Sequence, residues 1–193
     1  MIRFAEIRDL PRILSIYAPY VRETTYSFEY DVPTEAEFRR RFEDITAQFP
    51  WIVWEEDGRV LGYAYGSLPF SRAGYAWCAE TSIYLAPEAR GRGIGRALDT
   101  VLEALLRRQG YEVLYAIITG ENGPSLAFHR AMGFTTVADF PDCGVKFSRR
   151  LHVVWMEKRL RTGNVPNVMP VPWMSIVRFD ENLTNILDTF PLS

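Results

Sequence analysis

The period of the apolar positions changes several times along the chain, and each change marks an element. Ile2 to Ile7 alternates enough for a first strand. Leu10, Ile13, Leu14, Ile16 and Tyr17 then fall on one helical face, with Asp9 as the expected N-cap and Pro11 in the first turn. Thr34-Glu35-Ala36-Glu37 has the form of a capping box and opens a second helix to about Gln48. WIVWEE (51–56) and RVLGYAYGS (59–67) flank Asp57-Gly58, a hairpin signal. AWCAETSIYLA (76–86) predicts a long strand, followed by a glycine-rich loop and a third helix to about Gln109. YEVLYAIIT (111–119) reads as a buried strand. Asn122-Gly123-Pro124 starts a fourth helix that ends near Met132-Gly133. FTTVADF and VKFSRRLHVVWMEKRL predict a final pair of strands. The order β-α-α-β-β-β-α-β-α-β-β is mixed α/β, with a mostly antiparallel sheet flanked by helices.

Residues 1–161 read as one domain, and 162–193 as an extension too short to be a second. RTGNVPNVMPVPW is a Pro/Asn-rich linker, and SIVRFDENLTNILDTF predicts one more short helix or strand. The hydrophobic content of 48% and charged content of 24% fit an ordinary soluble globule. A net charge of −2 argues against a general nucleic-acid binder. Cys78 and Cys143 form no CxxC or Cys/His cluster, so no metal is expected and both thiols are expected reduced and buried. The charged N-terminus lacks a signal core, and no apolar run approaches the ~20 residues of a membrane span. A cytoplasmic protein without membrane contact is the expectation.

The stretch ARGRGIGRAL (89–98) weakens the start of a good helix with glycine, which costs roughly 0.8–1 kcal/mol against Ala inside a helix. Bare N–H groups at a helix N-terminus offer a compensation: they bind an anion. The loop is not a Walker loop, and Arg96 breaks a clean GxGxxG. A plain surface turn with solvated arginines is the competing reading. Glu80 is a carboxylate inside an apolar strand, on one face with Cys78, Ser82 and Tyr84. It must be paired or carry a raised pKa, which suits a general base; a salt-bridged or edge-exposed Glu is the alternative. The aromatics at 26, 28, 30, 51 and 54 read as core or pocket wall. Arg39 to Arg41 and Arg107-Arg108 read as solvated helix faces.

Arg90-x-x-Gly93-x-Gly95 resembles the pyrophosphate-binding [Q/R]xxGx[G/A] segment of the GNAT acetyltransferase superfamily. The resemblance extends to YAWCAETSIYLAPEARGRGIGRAL, ENGPSLAFHRAMGFT, PDCGVKFSRRLHVVWMEKRL, TYSFEYDVPT and FPWIVWEEDGRVLGYAYGS. Together these are similar to the phosphinothricin and methionine sulfoximine N-acetyltransferase branch over roughly residues 1–160. The resemblance implies the GNAT acyl-CoA N-acyltransferase fold, with central strands splayed to admit the cofactor, acetyl-CoA as co-substrate, no metal, and a homodimer. It assigns the pyrophosphate to backbone amides of Arg90, Gly91, Arg92, Gly93, Ile94, Gly95 and Arg96. The pantetheine arm falls to Ile83, Tyr84, Leu85, Asn122 and Ser125, with an amide near Leu85 steadying the oxyanion. Glu80 stands where the branch has its catalytic base. His129 stands where the superfamily often has a Tyr that protonates the thiolate, and imidazolium is an acid suited to that step. Phe28, Arg72 and Lys146 are the implied acceptor contacts. The chain departs from the branch at Glu29 and Tyr30, where phosphinothricin acetyltransferases have Arg and Thr. It departs again at Arg150 and His152, which replace an aromatic and an Asp. These changes leave two readings open beside an amino-acid acceptor: another amine, such as a polyamine or peptide N-terminus, and a non-catalytic acyl-CoA-binding module.

Overall fold

In the computed structural model, residues 1–163, 166 and 168–179 are described. They form β1 (Ile2–Phe4), α1 (Leu10–Glu23), α2 (Glu35–Thr46), β2 (Trp51–Glu56), β3 (Arg59–Ser67) and β4 (Cys78–Leu85). There follow α3 (Ile94–Gln109), β5 (Val113–Thr119), α4 (Gly123–Ala131), β6 (Thr135–Lys146), β7 (Arg149–Arg159) and α5 (Trp173–Phe179). Among the described residues one sheet runs in the order β1-β2-β3-β4-β5-β7-β6. All neighbours are antiparallel except β4 and β5. That parallel pair is in register only where Cys78, Ala79 and Glu80 face Val113, Leu114 and Tyr115. Beyond it β4 pairs with β3 alone and β5 with β7 alone, so the sheet splits into a wedge at its middle.

Local chemistry explains most boundaries. Thr34 accepts from the Glu37 amide at 3.3 Å while the Glu37 carboxylate accepts from the Thr34 amide at 2.8 Å, closing the capping box. Asp57 and Gly58 have φ of 50° and 74°, both left-handed, as a tight hairpin turn needs. Beyond shifts of one or two residues at element ends, three details differ from the sequence reading. The first strand stops at Phe4. Asp9 stands at the N-cap position of α1, but its side chain makes no capping bond: the carboxylate accepts from the Glu6 amide at 2.8 Å and from Arg3 at 2.7 and 2.8 Å, and so locks the turn before the helix. Val145 and Lys146 belong to β6, because the chain reverses at Phe147-Ser148 with φ of 51° and 59°. No Gly, Pro or Asn advertises that turn.

The aromatic face of the sheet lies under α1 and α2: Tyr17 stands edge-on to Tyr84 at 5.0 Å, and Phe38 edge-on to Trp51 at 6.0 Å. α3 packs on the other face, over two strand glycines. A Cβ at Gly62 would lie 3.5 Å from Leu98 Cδ1, and one at Gly66 would lie 3.0 Å from Leu106 Cδ2. The described part of the extension packs back on the same chain: Trp173 lies 4.5 Å from the Phe4 ring and donates to the Thr46 carbonyl at 2.7 Å. That segment forms a helix at Trp173–Phe179; residues 180–190 of the expected element lie outside the described residues. Cys78 is half-buried, whereas Cys143 is exposed, contrary to the burial expected of both.

Asp99 is the outlier of the core. It is 2% exposed in α3, and its Oδ2 has no hydrogen-bond partner among the described residues. Burial pushes its pKa up to about 7, with Lys158 opposing. The folded state therefore binds a proton that the unfolded state has already released, and stability falls as pH rises from about 4 through 7. Urea unfolding at pH 5 and pH 8 tests this. Asp99→Asn is expected to reduce the loss between the two pH values by on the order of 2–4 kcal/mol.

Candidate active site

Strand parity decides which backbone groups face the wedge. Ala86 donates to Leu61 O on the β3 side at 2.8 Å, so Tyr84 also turns its backbone toward β3. Ile83 and Leu85 then turn theirs into the wedge. On the far wall Gly120 donates to His152 O on β7 at 3.0 Å, which turns the Ile117 backbone inward. Each wall thus offers unpaired strand edge, the surface that an extended chain with amides can use.

The glycine loop stands beside the wedge at the start of α3. Gly91 and Gly93 have φ of 72° and 78°. A Cβ on either would meet nothing within 4 Å, so the backbone conformation, and not crowding, demands glycine. The first helical bond is Ala97 N to Gly93 O at 3.1 Å. The amides of Ile94, Gly95 and Arg96 precede it without an intrahelical acceptor, and the Gly93 cap has no side chain to cover them. The Ile94 side chain is fully buried, so only its amide serves here. Arg92 is held by Glu56 at 2.7 Å, Arg96 is exposed, and the Arg90 guanidinium lies 5.4 Å over the Tyr20 ring.

Glu80 faces Ser67 and Tyr115 across its two strand pairings. It makes no hydrogen bond or ion pair with a described residue, and burial raises its pKa to about 7. His129 is buried on α4; its Nδ1–H donates to Ser125 O at 2.8 Å. Its Nε2 has no hydrogen-bond partner among the described residues. Burial lowers its pKa, against the opposing Ser125 bond. The lowered pKa favours a neutral resting imidazole, with Nε2 open as an acceptor. Asn122 caps α4 by accepting from the Ser125 amide at 3.2 Å. One cavity in the wedge is lined by Glu80, Ser82 and Ile117, and an adjoining one by Leu85, Arg90, Gly95 and Phe128. Tyr20, Tyr26, Ile83, Asn122, Ser125 and His129 line both.

The implied acceptor residues separate. Arg72 is exposed at the turn before β4 and has no ion pair with a described residue. The Phe28 ring covers Gly144, where a Cβ would fall 2.2 Å from it. Lys146 is turned inward: it is 1% exposed, and its Nζ donates to Val21 O at 2.7 Å and to Ser27 O. Its ammonium ties the end of α1 and the 24–28 turn to β6 and is not among the groups lining either cavity. Of the departures from the branch, Glu29 is neutralised by Arg41 at 2.5 Å, which takes Arg41 off the solvated face expected of it. His152 stacks so closely on Gly120 that a Cβ there would lie 1.6 Å from Nε2. Tyr20 and Phe128 escaped the sequence reading. Tyr20 lies three residues after Tyr17, a spacing that reads as helix core.

A family described as an acetyltransferase (GNAT) domain matches residues 2–155. The chain belongs to the GNAT acetyltransferase family. It is 37% identical to phosphinothricin N-acetyltransferase of Alcaligenes faecalis, over 84% of each chain. It is 33% identical to the L-methionine sulfoximine/L-methionine sulfone acetyltransferase of Salmonella typhimurium, over 86% of this chain and 98% of the relative. A GNAT phosphinothricin acetyltransferase from Sinorhizobium meliloti, solved with AcCoA, superposes with a TM-score of 0.81 at 37% identity, over 89% of this chain and 92% of that one. This GNAT acetyltransferase is thus an N-acetyltransferase of the phosphinothricin and methionine sulfoximine branch. Among the described residues no helix is long and apolar enough to cross a membrane.

Proposed function

We propose that this GNAT enzyme moves an acetyl group from acetyl-CoA directly to the primary amine of an amino acid or amino-acid analogue, with Glu80 as general base. The observation that carries the reading is an unpaired, largely buried carboxylate held near neutrality in a cavity that also receives an unpartnered imidazole nitrogen. Acetyl-CoA fits the rest of the site. The uncovered amides of the glycine loop suit its pyrophosphate, and the Ile83 and Leu85 edge, with Asn122 and Ser125 opposite, suits its amide-bearing arm. When bound, it supplies the activated acyl group.

The chain's own residues then handle protons and charge. Glu80 takes one proton from the acceptor ammonium, directly or through water, and frees the lone pair for attack. A β4 amide on the Ile83–Leu85 edge stabilises the oxygen that gains charge. Neutral His129 takes the second proton that the attacking nitrogen sheds and passes it to the departing sulfur. Its resting neutrality suits a base that becomes an acid within one turnover. No residue of the chain is acylated and no metal is used. In this reading Arg72 is an exposed cation that an acceptor carboxylate can pair with, and Phe28 is an aromatic contact for the acceptor. The homodimer belongs to this reading; exposed Tyr75, Ile117 and Phe140 beside Trp155 give a partner an apolar surface. So does the cytoplasmic location.

The test is thiol release from acetyl-CoA against a panel of amino acids, methionine sulfone, methionine sulfoximine, phosphinothricin, polyamines and short peptides. Saturable turnover on an amino-acid analogue is expected, and Arg72→Ala is expected to raise KM for that acceptor about tenfold or more with little change in kcat. Turnover confined to amines without a carboxylate, insensitive to Arg72→Ala, would replace the acceptor class. CoA binding with no turnover on any amine would favour a non-catalytic module.

A further inference from the structure

We propose that Tyr20 is a positioning residue for the acyl donor: its hydroxyl holds the Leu85 edge of β4 until the donor takes that edge, and Arg90 couples this exchange to the filling of the glycine loop. The inference rests on the acetyl-CoA reading above.

The Tyr20 ring stands edge-on to Tyr84 at 5.2 Å, which carries its hydroxyl over the end of β4. There the hydroxyl donates to Leu85 O at 2.7 Å and accepts from Leu85 N at 3.4 Å. These are the two groups that parity turns away from β3 and into the wedge. A single hydroxyl that gives to the carbonyl and takes from the amide of one residue does what the opposing backbone of a paired strand would do. A donor arm carrying secondary amides needs the same two groups, and hydroxyl and arm cannot hold them together.

The third contact on the Tyr20 oxygen comes from the glycine loop. Arg90 donates to it at 3.1 Å and lays its guanidinium over the ring. Arg90 is also the first residue of the segment that presents amides to an anion. An anion on the amides of Ile94 to Arg96 attracts that guanidinium, and each ångström it moves away weakens its hold on Tyr20. Loop filling and release of the Leu85 edge are therefore favourably coupled, and each helps the other by the same factor. Tyr20 lines both cavities of the wedge, where such a link has to sit.

Tyr20→Phe removes the hydroxyl and keeps the ring. Isothermal titration with CoA is expected to give about 5-fold tighter binding to Tyr20→Phe than to the parent, the factor equivalent to one net hydrogen bond no longer broken. A merely structural role for the hydroxyl would weaken binding or leave it alone, so the direction is diagnostic. Pantetheine, which lacks the phosphates, is expected to bind the parent more tightly when inorganic pyrophosphate is present, and this gain is expected to vanish in Tyr20→Phe. As a measurement independent of ligand, hydrogen exchange at the Leu85 amide is expected to be faster in Tyr20→Phe. CoA binding that is unchanged or weaker in Tyr20→Phe, or Leu85 exchange equal in the two proteins, would overturn the proposal. If CoA binds neither protein, the acetyl-CoA reading itself fails and takes this inference with it.

Discussion

Glu80→Gln is expected to lower kcat/KM for the acceptor amine by about 10²–10⁴, the usual contribution of a positioned base, while CoA affinity stays within about twofold. The amide has nearly the shape of the carboxylate and cannot take a proton. Glu80 has no ion pair among the described residues to break, so the loss reports on chemistry and not on a disrupted network. The pH dependence makes the assignment specific. Burial holds the Glu80 carboxyl near 7, and only its deprotonated form acts as base. Activity of the parent enzyme should rise through about pH 7 and level above it; in Glu80→Gln that limb disappears. Stability should move the opposite way. A carboxyl whose folded pKa lies above its unfolded value lowers stability progressively as pH rises from the unfolded value through the folded one, here from 4.5 to about 7, so Glu80→Gln is expected to be more stable than the parent at pH 8 and similar at pH 4. An unaltered kcat/KM from pH 6 to 9 would remove Glu80 from the mechanism.

Gly93→Val is the second large effect: CoA affinity is expected to fall about 100-fold or more. The loss does not come from a clash with protein, since a Cβ at this position meets nothing within 4 Å. It comes from φ of 78°, a conformation that a β-branched residue adopts only under strain. The backbone relaxes by rotating, and the amides of Ile94, Gly95 and Arg96 then no longer converge on one anion. Two charge-assisted hydrogen bonds at roughly 1.5–3 kcal/mol each account for the factor. Gly58→Val is the control for strain. Gly58 has φ of 74° and equally open surroundings, but it sits in the β2–β3 hairpin turn. A comparable drop in melting temperature without a change in CoA affinity is expected there. If Gly93→Val folds and binds CoA as the parent does, the loop is not the anion site.

What could be read before folding was what neighbours along the chain decide. The Thr34–Glu37 capping box, the Asp57-Gly58 turn and the glycine loop ahead of α3 each arise within a few residues, where residue type restricts the backbone directly. Glu80 stood out by the same logic, as a charge in a strand with apolar neighbours. The wedge was expected through resemblance; its physical basis is that β4 and β5 lean on different partners once their short parallel register ends. The turn at Phe147-Ser148 was hidden because neither residue favours the left-handed backbone that both adopt there, and the hairpin contacts impose it.

Partners were another matter. Lys146 looked like a surface cation for a substrate and is instead buried against Val21, 125 residues away in the chain. Tyr20 looked like core and instead holds Leu85, 65 residues away. His129 was chosen for its chemistry, but its charge state follows from burial and from the carbonyl that fixes its Nδ1 proton. By itself the sequence determined the succession of elements, the backbone of the loop and the residue types that can carry acetyl transfer, because these depend on conformational preferences and on chemistry intrinsic to each residue. Which polar group meets which, and which is left unpaired in the wedge, was decided only by tertiary structure, because hydrogen bonding and desolvation depend on neighbours that the chain brings together from far apart.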